Sequence, residues 1–292
     1  MCVIPSSELI INADGSVFHL HLKPEELADV VLLVGDPGRV ELVSSMFDEV
    51  RVRVQNREFV VHTGSYKGKE ISVLSTGIGT DNIDIVVNEL DALANIDFKT
   101  RKPKAEHKAL NLIRVGTSGS IQRFVEIGTT VMSAISIGFD GLLNFYDRRD
   151  EVSLLDYEKA FIQHTGWNEQ LAKPYFVRSS EKLISLFSDS AVRGITISAP
   201  GFYGPQGRVL RLPLAMPDLN QKVESFRYGE EYITNIEMES SALAGLSRLL
   251  GHEAITLCFI IANRVSLSAL SDYKVAMHET LRMVLDKVSE LR

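Results

Sequence analysis

Short apolar runs alternate with amphipathic segments along most of this chain. The apolar runs have the length of β-strands, and several are followed by a segment whose apolar residues recur at helical spacing. Alternating strands and helices predict an α/β sandwich. The apolar runs are residues 30–35, 71–75, 110–116, 129–135, 195–199 and 254–262, and the amphipathic segments are residues 40–47, 81–94 and 274–291.

The length of the chain allows one large domain or two smaller ones. It has 292 residues, of which 45% are hydrophobic, so it can bury a substantial core. No linker rich in proline, glycine or serine divides it, and no repeat of fixed period occurs. We therefore predict one domain that spans residues 1–292.

Charge and cysteine content restrict the partners of the chain. The 31 Lys and Arg residues against 38 Asp and Glu residues give a net charge of -7, which disfavours nucleic acid as a partner. The two cysteines, Cys2 and Cys258, suggest neither a disulfide framework nor a cysteine-based zinc site. Residues 1–16 lack a signal-peptide pattern, and the longest apolar run is too short to cross a bilayer. We expect a soluble cytoplasmic protein without a membrane partner.

Three turns that contain glycine follow predicted strands, and arginines stand in or near them. Glycine lets the backbone approach a ligand, and amides at strand-to-helix turns point at anions. A single arginine would usually form a surface ion pair, but three beside such turns favour a phosphate site. A dinucleotide motif is not completed, because Asn82 stands where its third glycine would fall. The turns are residues 35–39, 76–79 and 114–119, and the arginines are Arg39, Arg57 and Arg114.

A carboxylate and a thioether stand where residues 232–236, a predicted strand, give way to residues 240–250, a predicted helix. The carboxylate of Glu239 can accept both hydroxyls of a vicinal diol, while Met238 packs under the apolar face of a ring. The pair therefore suits a ribose. The alternative is that Glu239 only favours the first turn of its helix through the helix dipole.

The segment 201–208 is a loop by its glycine and proline content, yet it holds Phe202, Gln206 and Arg208. Glutamine offers a donor and an acceptor together, which fits the imide edge of uracil, and arginine can donate to a carbonyl oxygen. A stacked phenylalanine would supply the third contact. The alternative is an ordinary turn with a solvated arginine.

The remaining polar clusters carry less information. His19 and His21 alternate on an expected strand, and no helical pair of histidines with a ligand glutamate occurs, so we expect no metal centre. The basic run at residues 99–104 is typical of a solvated surface loop, and we assign it no chemistry.

In combination, these motifs resemble the uridine phosphorylase branch of the nucleoside phosphorylase family. The motifs GDPGR, NREF, STGIG, RVGTSG, FYGPQGR and NIEMES, and then the pair Asn263-Arg264, occur in the order of the family from about Val17 to the carboxyl end. The resemblance implies a three-layer α/β/α sandwich with a central mixed, partly barrel-like sheet. It also implies a homo-oligomer, at least a dimer, in which Arg57 and His19 reach into the site of a neighbouring subunit.

Site residues follow from the resemblance by position. Phosphate contacts are expected from Gly35, Arg39, Arg57, Arg114 and Thr117, ribose contacts from His19, Glu237, Met238 and Glu239, and base contacts from Phe202, Gln206, Arg208, Ile261, Ala262 and Arg264. His19 is expected to meet the 5′ end of the sugar bound by the neighbouring subunit. Among these, the residues expected to act in catalysis are Gln206, Arg208, Glu239 and Arg264.

The implied reaction is phosphorolysis of uridine to uracil and ribose 1-phosphate, without a cofactor or a metal. Phosphate itself is the nucleophile, which agrees with the lack of a Ser-His or Cys-His pattern and of the carboxylate pair of a glycoside hydrolase. Purine-cleaving relatives tend to place an aspartate where this chain presents Asn263 and then the cation of Arg264.

Three alternatives stay open: a purine nucleoside phosphorylase, a hydrolytic nucleosidase, and a nucleoside-binding protein without turnover. Acceptance of deoxyuridine or thymidine is also open. The chain departs from compact bacterial members by an insertion at residues 97–107 and by a longer amino terminus. The choice between a dimer and a hexamer therefore stays open as well.

Overall fold

A computed structural model describes residues 3–291 of the chain. Its strands are β1 (Val30–Val34), β2 (Glu49–Asn56), β3 (Phe59–Tyr66), β4 (Lys69–Ser75), β5 (Ile96–Asp97), β6 (Lys102–Pro103), β7 (Asn111–Ser120), β8 (Thr130–Gly138), β9 (Tyr175–Arg178), β10 (Val192–Ser198), β11 (Arg227–Tyr228), β12 (Glu231–Glu237), β13 (Glu253–Asn263) and β14 (Ser268–Ala269). Its α-helices are α1 (Pro37–Ser44), α2 (Thr80–Asn95), α3 (Arg149–Val152), α4 (Leu155–Thr165), α5 (Glu181–Leu186), α6 (Leu219–Ser225), α7 (Ser240–Leu249) and α8 (Lys274–Ser289). Short 3₁₀-helices lie at Pro24–Glu26, Leu142–Phe145 and Gly204–Gln206.

Most of the strands form one mixed sheet that closes on itself at one end. Its order is β11-β12-β10-β8-β13-β7-β1-β4-β3-β2. Strand β12 also pairs with β7, through Asn235 opposite Ser120 and Ile236 opposite Gly119. This pairing closes β7, β13, β8, β10 and β12 into a five-strand barrel, which confirms the predicted mixed and partly barrel-like sheet.

Helices cover both faces of the sheet. Successive side chains of a strand point to opposite faces, so Val31 and Leu33 of β1 pack with helices α2 and α7, whereas Val30, Leu32 and Val34 pack with α1, α5 and α8. These two apolar layers confirm the predicted three-layer sandwich. Within residues 3–291, no helix is both long and apolar enough to span a bilayer.

The third glycine turn predicted from sequence lies inside a strand instead. Residues 114–119 belong to β7, which pairs with β13 over residues 111–120 and with β1 over residues 111–115. Position 116 needs glycine because of the neighbouring Arg114 side chain and not because of a turn. A Cβ atom there would lie 2.5 Å from Nη1 of Arg114. The expectation of a turn was therefore wrong, since close approach and positive φ both select glycine.

One further expectation from sequence needs correction, and one hairpin was not expected. Residues 18–20 form a turn rather than a strand, and His21 has a φ of 51°, outside the extended region. The β2–β3 hairpin was not predicted, although Val50, Val52 and Val54 alternate with polar residues in β2 as in a half-buried strand.

The fold brings the ends of parallel strands to one edge. Val34 of β1 lies opposite both Ser75 of β4 and Val115 of β7. The residues that follow these three strand positions therefore lie side by side. A Cβ atom on Gly35 would lie 3.5 Å from the carbonyl oxygen of Gly77, so the first two glycine turns are in contact.

Candidate active site

A buried arginine lies between two carboxylates where the barrel strands β7 and β12 approach each other. Nη1 of Arg114 donates to Oε2 of Glu237 at 3.1 Å, and Nη2 donates to Oε2 of Glu239. All three side chains are at most 5% exposed. The partners are 123 and 125 residues apart in sequence, so the closure of the barrel is what joins them.

The two carboxylates differ in their remaining capacity to accept hydrogen bonds. Glu237 accepts from Arg114, from the hydroxyl of Ser198 at 2.7 Å, and from the backbone N–H groups of Glu239 and Ser240 at 3.0 and 2.9 Å. A carboxylate has about four lone-pair positions, so protein donors saturate Glu237. Among the described residues, Glu239 accepts only from Arg114 and from the N–H of Gly79 at 2.8 Å. The geometry therefore favours Glu239 for the ribose diol, and a ribose contact of Glu237 stays a prediction.

The cluster has two carboxylates and one cation. Burial raises the pKa of Glu239 to about 7, with a further contribution from Glu237, although the guanidinium of Arg114 opposes this shift. Burial alone would lower the pKa of Arg114, but Glu239 and Glu237 raise it overall. Nε of Arg114 is buried without a hydrogen-bond partner among the described residues. A donor is thus left for a further ligand.

Replacing Glu239 with glutamine is expected to flatten the pH dependence of stability. The pKa of Glu239 in the folded chain, about 7, lies above its ordinary value of 4.5. The folded chain therefore holds an extra proton in this window, and stability falls as the pH rises through it. The wild type should lose ~1–3 kcal/mol between about pH 5 and about pH 7.

Denaturant unfolding at both pH values, without phosphate, measures this loss. Glu239→Gln should lose less, while Glu169→Gln, which removes an exposed carboxyl, should lose as much as the wild type. An equal decline in all three proteins would contradict the expectation.

Among residues 3–291, Arg114 is the predicted phosphate residue whose side chain bonds to Glu237 and Glu239. Gly35 follows β1, and the carboxylate of Asp36 caps α1 by accepting from the N–H of Gly38 at 2.9 Å. Arg39 lies in the first turn of α1, is half-buried, and has no side-chain hydrogen bond among residues 3–291. Thr117 is half-buried on β7. Arg114 is therefore the predicted phosphate ligand that lies directly against Glu239, the predicted ribose ligand.

The loop after β10 brings Phe202, Gln206 and Arg208 together, as predicted. Nη1 of Arg208 donates to Oε1 of Gln206 at 2.6 Å and to the carbonyl oxygen of Phe202 at 2.5 Å. The guanidinium carbon lies 3.8 Å from the centroid of the Phe202 ring. Gln206 is 3% exposed, whereas Phe202 is 52% exposed. The amide of Gln206 thus keeps its NH₂ group for a ligand.

Arg264 supplies a second cation near this loop. It follows β13, and its side chain passes over Gly119, where a Cβ atom would lie 3.5 Å from its Cδ. Nη1 of Arg264 is buried without a hydrogen-bond partner among the described residues. Burial, and to a smaller extent the charge of Arg208, lower the pKa of Arg264 to about 10. Two guanidinium groups therefore lie close together with no carboxylate shared between them among the described residues.

Asn263, which precedes Arg264, bonds to backbone groups of the protein through its whole side-chain amide. Its Nδ2 donates to the carbonyl oxygens of Gln122 and Val125 at 2.9 and 3.1 Å. Its Oδ1 accepts from the N–H groups of Val265 and Ser266, both at 3.0 Å. The side chain is buried, and it fixes the turn from which Arg264 emerges.

The other residues predicted to contact the base and the ribose are half-buried. Met238 is half-buried in the junction between β12 and α7, and Ile261 and Ala262 are half-buried at the end of β13. Sequence reasoning missed Ser198, whose hydroxyl holds Glu237. It ends a strand without any distinctive spacing, so only the observed contact identifies it.

The two residues expected to cross a subunit boundary lie on one surface of the chain. Asn56, next to Arg57 at the tip of the β2–β3 hairpin, donates through Nδ2 to the carbonyl oxygen of His19 at 2.8 Å. The guanidinium carbon of Arg57 lies 5.9 Å from the centroid of the Phe18 ring. In residues 3–291, neither Arg57 nor His19 forms a side-chain hydrogen bond with Arg114, Glu237 or Glu239.

A cavity of about 1070 Å³ lies beside the loop after β10, the loop that carries Arg208. Its walls include Trp167, Leu171, Tyr203 and Arg208, but neither Arg114 nor Glu239 lines it. Its lining is mainly apolar, and although Arg208 and Arg211 line it, none of the predicted phosphate residues does. We therefore place the candidate site at the Arg114 cluster and not in this cavity.

Asp91, His107 and His252 form a separate group with ligand atoms within 4.8 Å of one another. Nδ1 of His252 accepts the N–H of Leu110 at 3.2 Å, so the neutral ring carries its proton on Nε2, the atom that would bind a metal. We assign no metal to this group.

The closed barrel, the two helical layers and the cluster at the strand ends define a protein with the nucleoside phosphorylase fold. A crystal structure described as showing that a Trypanosoma brucei nucleoside phosphorylase has uridine phosphorylase activity matches with a TM-score of 0.88 at 28% identity. The match covers 96% of this chain and 99% of that one.

The sequence profile of the Phosphorylase superfamily matches residues 29–288, and the chain belongs to this family. It is 33% identical to a uridine phosphorylase of Thermococcus kodakarensis, over 89% of this chain and 82% of the relative. It is 29% identical to a DeoD-type purine nucleoside phosphorylase of Listeria welshimeri, over 82% and 84%. These findings confirm the resemblance inferred from the motifs.

Proposed function

We propose that this chain is a uridine phosphorylase, a pentosyltransferase that converts uridine and phosphate into uracil and ribose 1-phosphate in pyrimidine salvage. The observation that carries the proposal is the pair of cations Arg208 and Arg264 beside Gln206, with Nη1 of Arg264 buried and lacking a partner in the part of the chain that the structure describes. Such a pocket favours a base that leaves as an oxygen-rich anion, because its positive charge is in place before the charge develops. Uracil leaves in this form, with charge on O2 and O4.

Phosphate binding begins at Arg114 in this proposal. The dianion competes with Glu237 and Glu239 for the guanidinium, and Arg39 together with Arg57 of a second subunit adds positive charge. Withdrawal of Arg114 from Glu239 frees a carboxylate oxygen for the ribose diol. The anion therefore prepares the site for the nucleoside, and no metal or organic cofactor takes part.

The base then binds between the loop and the end of β13. The NH₂ group of Gln206 and the guanidinium of Arg208 face the carbonyl edge of the base, and Arg264 supports the far carbonyl. Phosphate attacks C1′ through a transition state with oxocarbenium character while the cations receive the charge of the departing base. Glu239 holds the sugar so that the reacting atoms stay aligned.

The shared surface of His19 and Arg57 supports an assembly of at least two copies. Within residues 3–291, neither residue bonds to the Arg114 cluster of its own chain, yet the two segments that carry them are in contact. We therefore propose a homo-oligomer of one-domain chains, acting in the cytoplasm, with these residues donated across the interface.

Uracil release from uridine should require phosphate. A hydrolytic nucleosidase would release uracil without it, and a binding protein would release none. We expect turnover in phosphate buffer with ribose 1-phosphate as the second product, and a loss to background when phosphate is replaced by a neutral buffer. Chromatography of both products checks this. Equal release in the two buffers would contradict the proposed reaction.

A further inference from the structure

Glu89 of helix α2 holds the segment that carries His19. Its carboxylate accepts the backbone N–H of His19 at 3.0 Å and that of Leu20 at 2.8 Å. The same carboxylate lies 2.7 Å from Nδ1 of His19. Three donors therefore converge on one side chain, which is 13% exposed, while the imidazole is 27% exposed.

This arrangement determines which ring nitrogen of His19 is free to accept a hydrogen bond. A carboxylate only accepts, so Nδ1 of His19 carries the hydrogen and the neutral ring leaves Nε2 as a bare acceptor. The carbonyl oxygen of His19 is held separately by Asn56. Because hydrogen bonds hold both the backbone and the ring of His19, the lone pair of Nε2 points in a fixed direction, along which it can accept a hydroxyl group.

The N-terminal arm, defined here as residues 3–22, is also held at its other end. Arg101 of the β5–β6 hairpin donates through Nε to the carbonyl oxygen of Ile4 at 2.8 Å and through Nη2 to those of Pro5 and Leu9. The N–H of Ile4 donates back to the carbonyl oxygen of Arg101 at 2.8 Å. The segment of residues 97–107 thus holds the N-terminal arm through hydrogen bonds from Arg101.

We propose that Glu89 is a positioning residue for nucleoside recognition. It acts through His19, holding Nε2 as the acceptor for the 5′-hydroxyl of the nucleoside bound by a neighbouring subunit. This inference rests on the proposed uridine phosphorylase activity. It adds to that activity a residue that touches no substrate and sets the orientation of one that does.

The test compares uridine with 5′-deoxyuridine, which lacks the hydroxyl. In Glu89→Ala, KM for uridine should rise about threefold to tenfold, the effect of one lost hydrogen bond, while kcat and the KM for 5′-deoxyuridine stay as in the wild type. Glu89→Gln keeps one acceptor oxygen and should recover part of the loss. Glu25→Ala, which removes an exposed carboxylate just beyond the arm, is the matched control and should change neither KM.

Nitrogen NMR of His19 at alkaline pH provides a reading that does not depend on activity. The wild type should show the hydrogen on Nδ1, and Glu89→Ala should show a mixture of tautomers. A KM that rises equally for both nucleosides, or an unchanged tautomer, would overturn the role of Glu89 while leaving uridine cleavage intact. If the wild type cleaves neither nucleoside, the proposed function fails instead, and the NMR result still decides whether Glu89 fixes His19. If Glu89→Ala does not fold, Glu89→Gln gives the same comparison with a smaller rise.

Discussion

Uridine should be cleaved on the order of 10⁴ times more efficiently than inosine, because a site built around hydrogen bonds rejects a base that leaves them unmade. Gln206 is buried, and Nη1 of Arg264 is buried without a partner among residues 3–291. Uracil offers two carbonyl oxygens and an N–H to these groups. The hypoxanthine base of inosine has one carbonyl oxygen and an N–H but a C–H group where uracil has its second carbonyl, so a buried donor would be left unpaired.

The ratio of kcat/KM for uridine to that for inosine, both in phosphate, measures this preference. Asn263→Asp is the informative companion variant, since purine-cleaving relatives tend to carry aspartate at this position. The amide of Asn263 is bound to four backbone groups, and aspartate cannot donate to the carbonyl oxygens of Gln122 and Val125. We expect the variant to lose activity on uridine without gaining it on inosine. A wild type that prefers inosine would refute the assignment of the base.

Much of the fold is visible in the sequence because its elements have strong periodicity. The central strand β1 is a run of five buried residues, and α2 and α8 repeat their apolar residues on one face. Edge elements were harder to predict. The β2–β3 hairpin is half-buried, and the helices from α3 to α6 are short, so tertiary contacts rather than local pattern determine them.

The composition of the site was also predictable, but its internal partners were not. Local spacing suggested Glu239 for the ribose, Arg114 for the phosphate and Gln206 for the base. Their roles stay predictions. The ion pairs of Arg114 with Glu237 and Glu239 depend on closure of the barrel between segments more than a hundred residues apart. The orientation of Asn263 likewise depends on a loop from elsewhere in the chain.

The positive charge at the predicted base site comes in part from the guanidinium group of Arg208. Arg208 is held by Gln206, by the carbonyl oxygen of Phe202 and by the face of the Phe202 ring. Burial lowers the pKa of Arg208, whose half-buried side chain is only partly exposed to water. A cation fixed in this way interacts more strongly with charge that develops on the base, because the site has a lower effective dielectric constant than water.

Arg208→Ala should therefore lower kcat for uridine phosphorolysis on the order of 10² to 10³, as loss of a preorganised charge-stabilising donor does. The substitution also releases Oε1 of Gln206 from its bond, so KM for uridine should rise as well. Steady-state kinetics in saturating phosphate separates the two effects. Arg211→Ala is the matched control, since Arg211 is an exposed arginine of the same loop that lines the apolar cavity instead of the base site. Equal rates in wild type and Arg208→Ala would show that the departing base receives its stabilisation from another group, and Arg264 would then be the cation to remove.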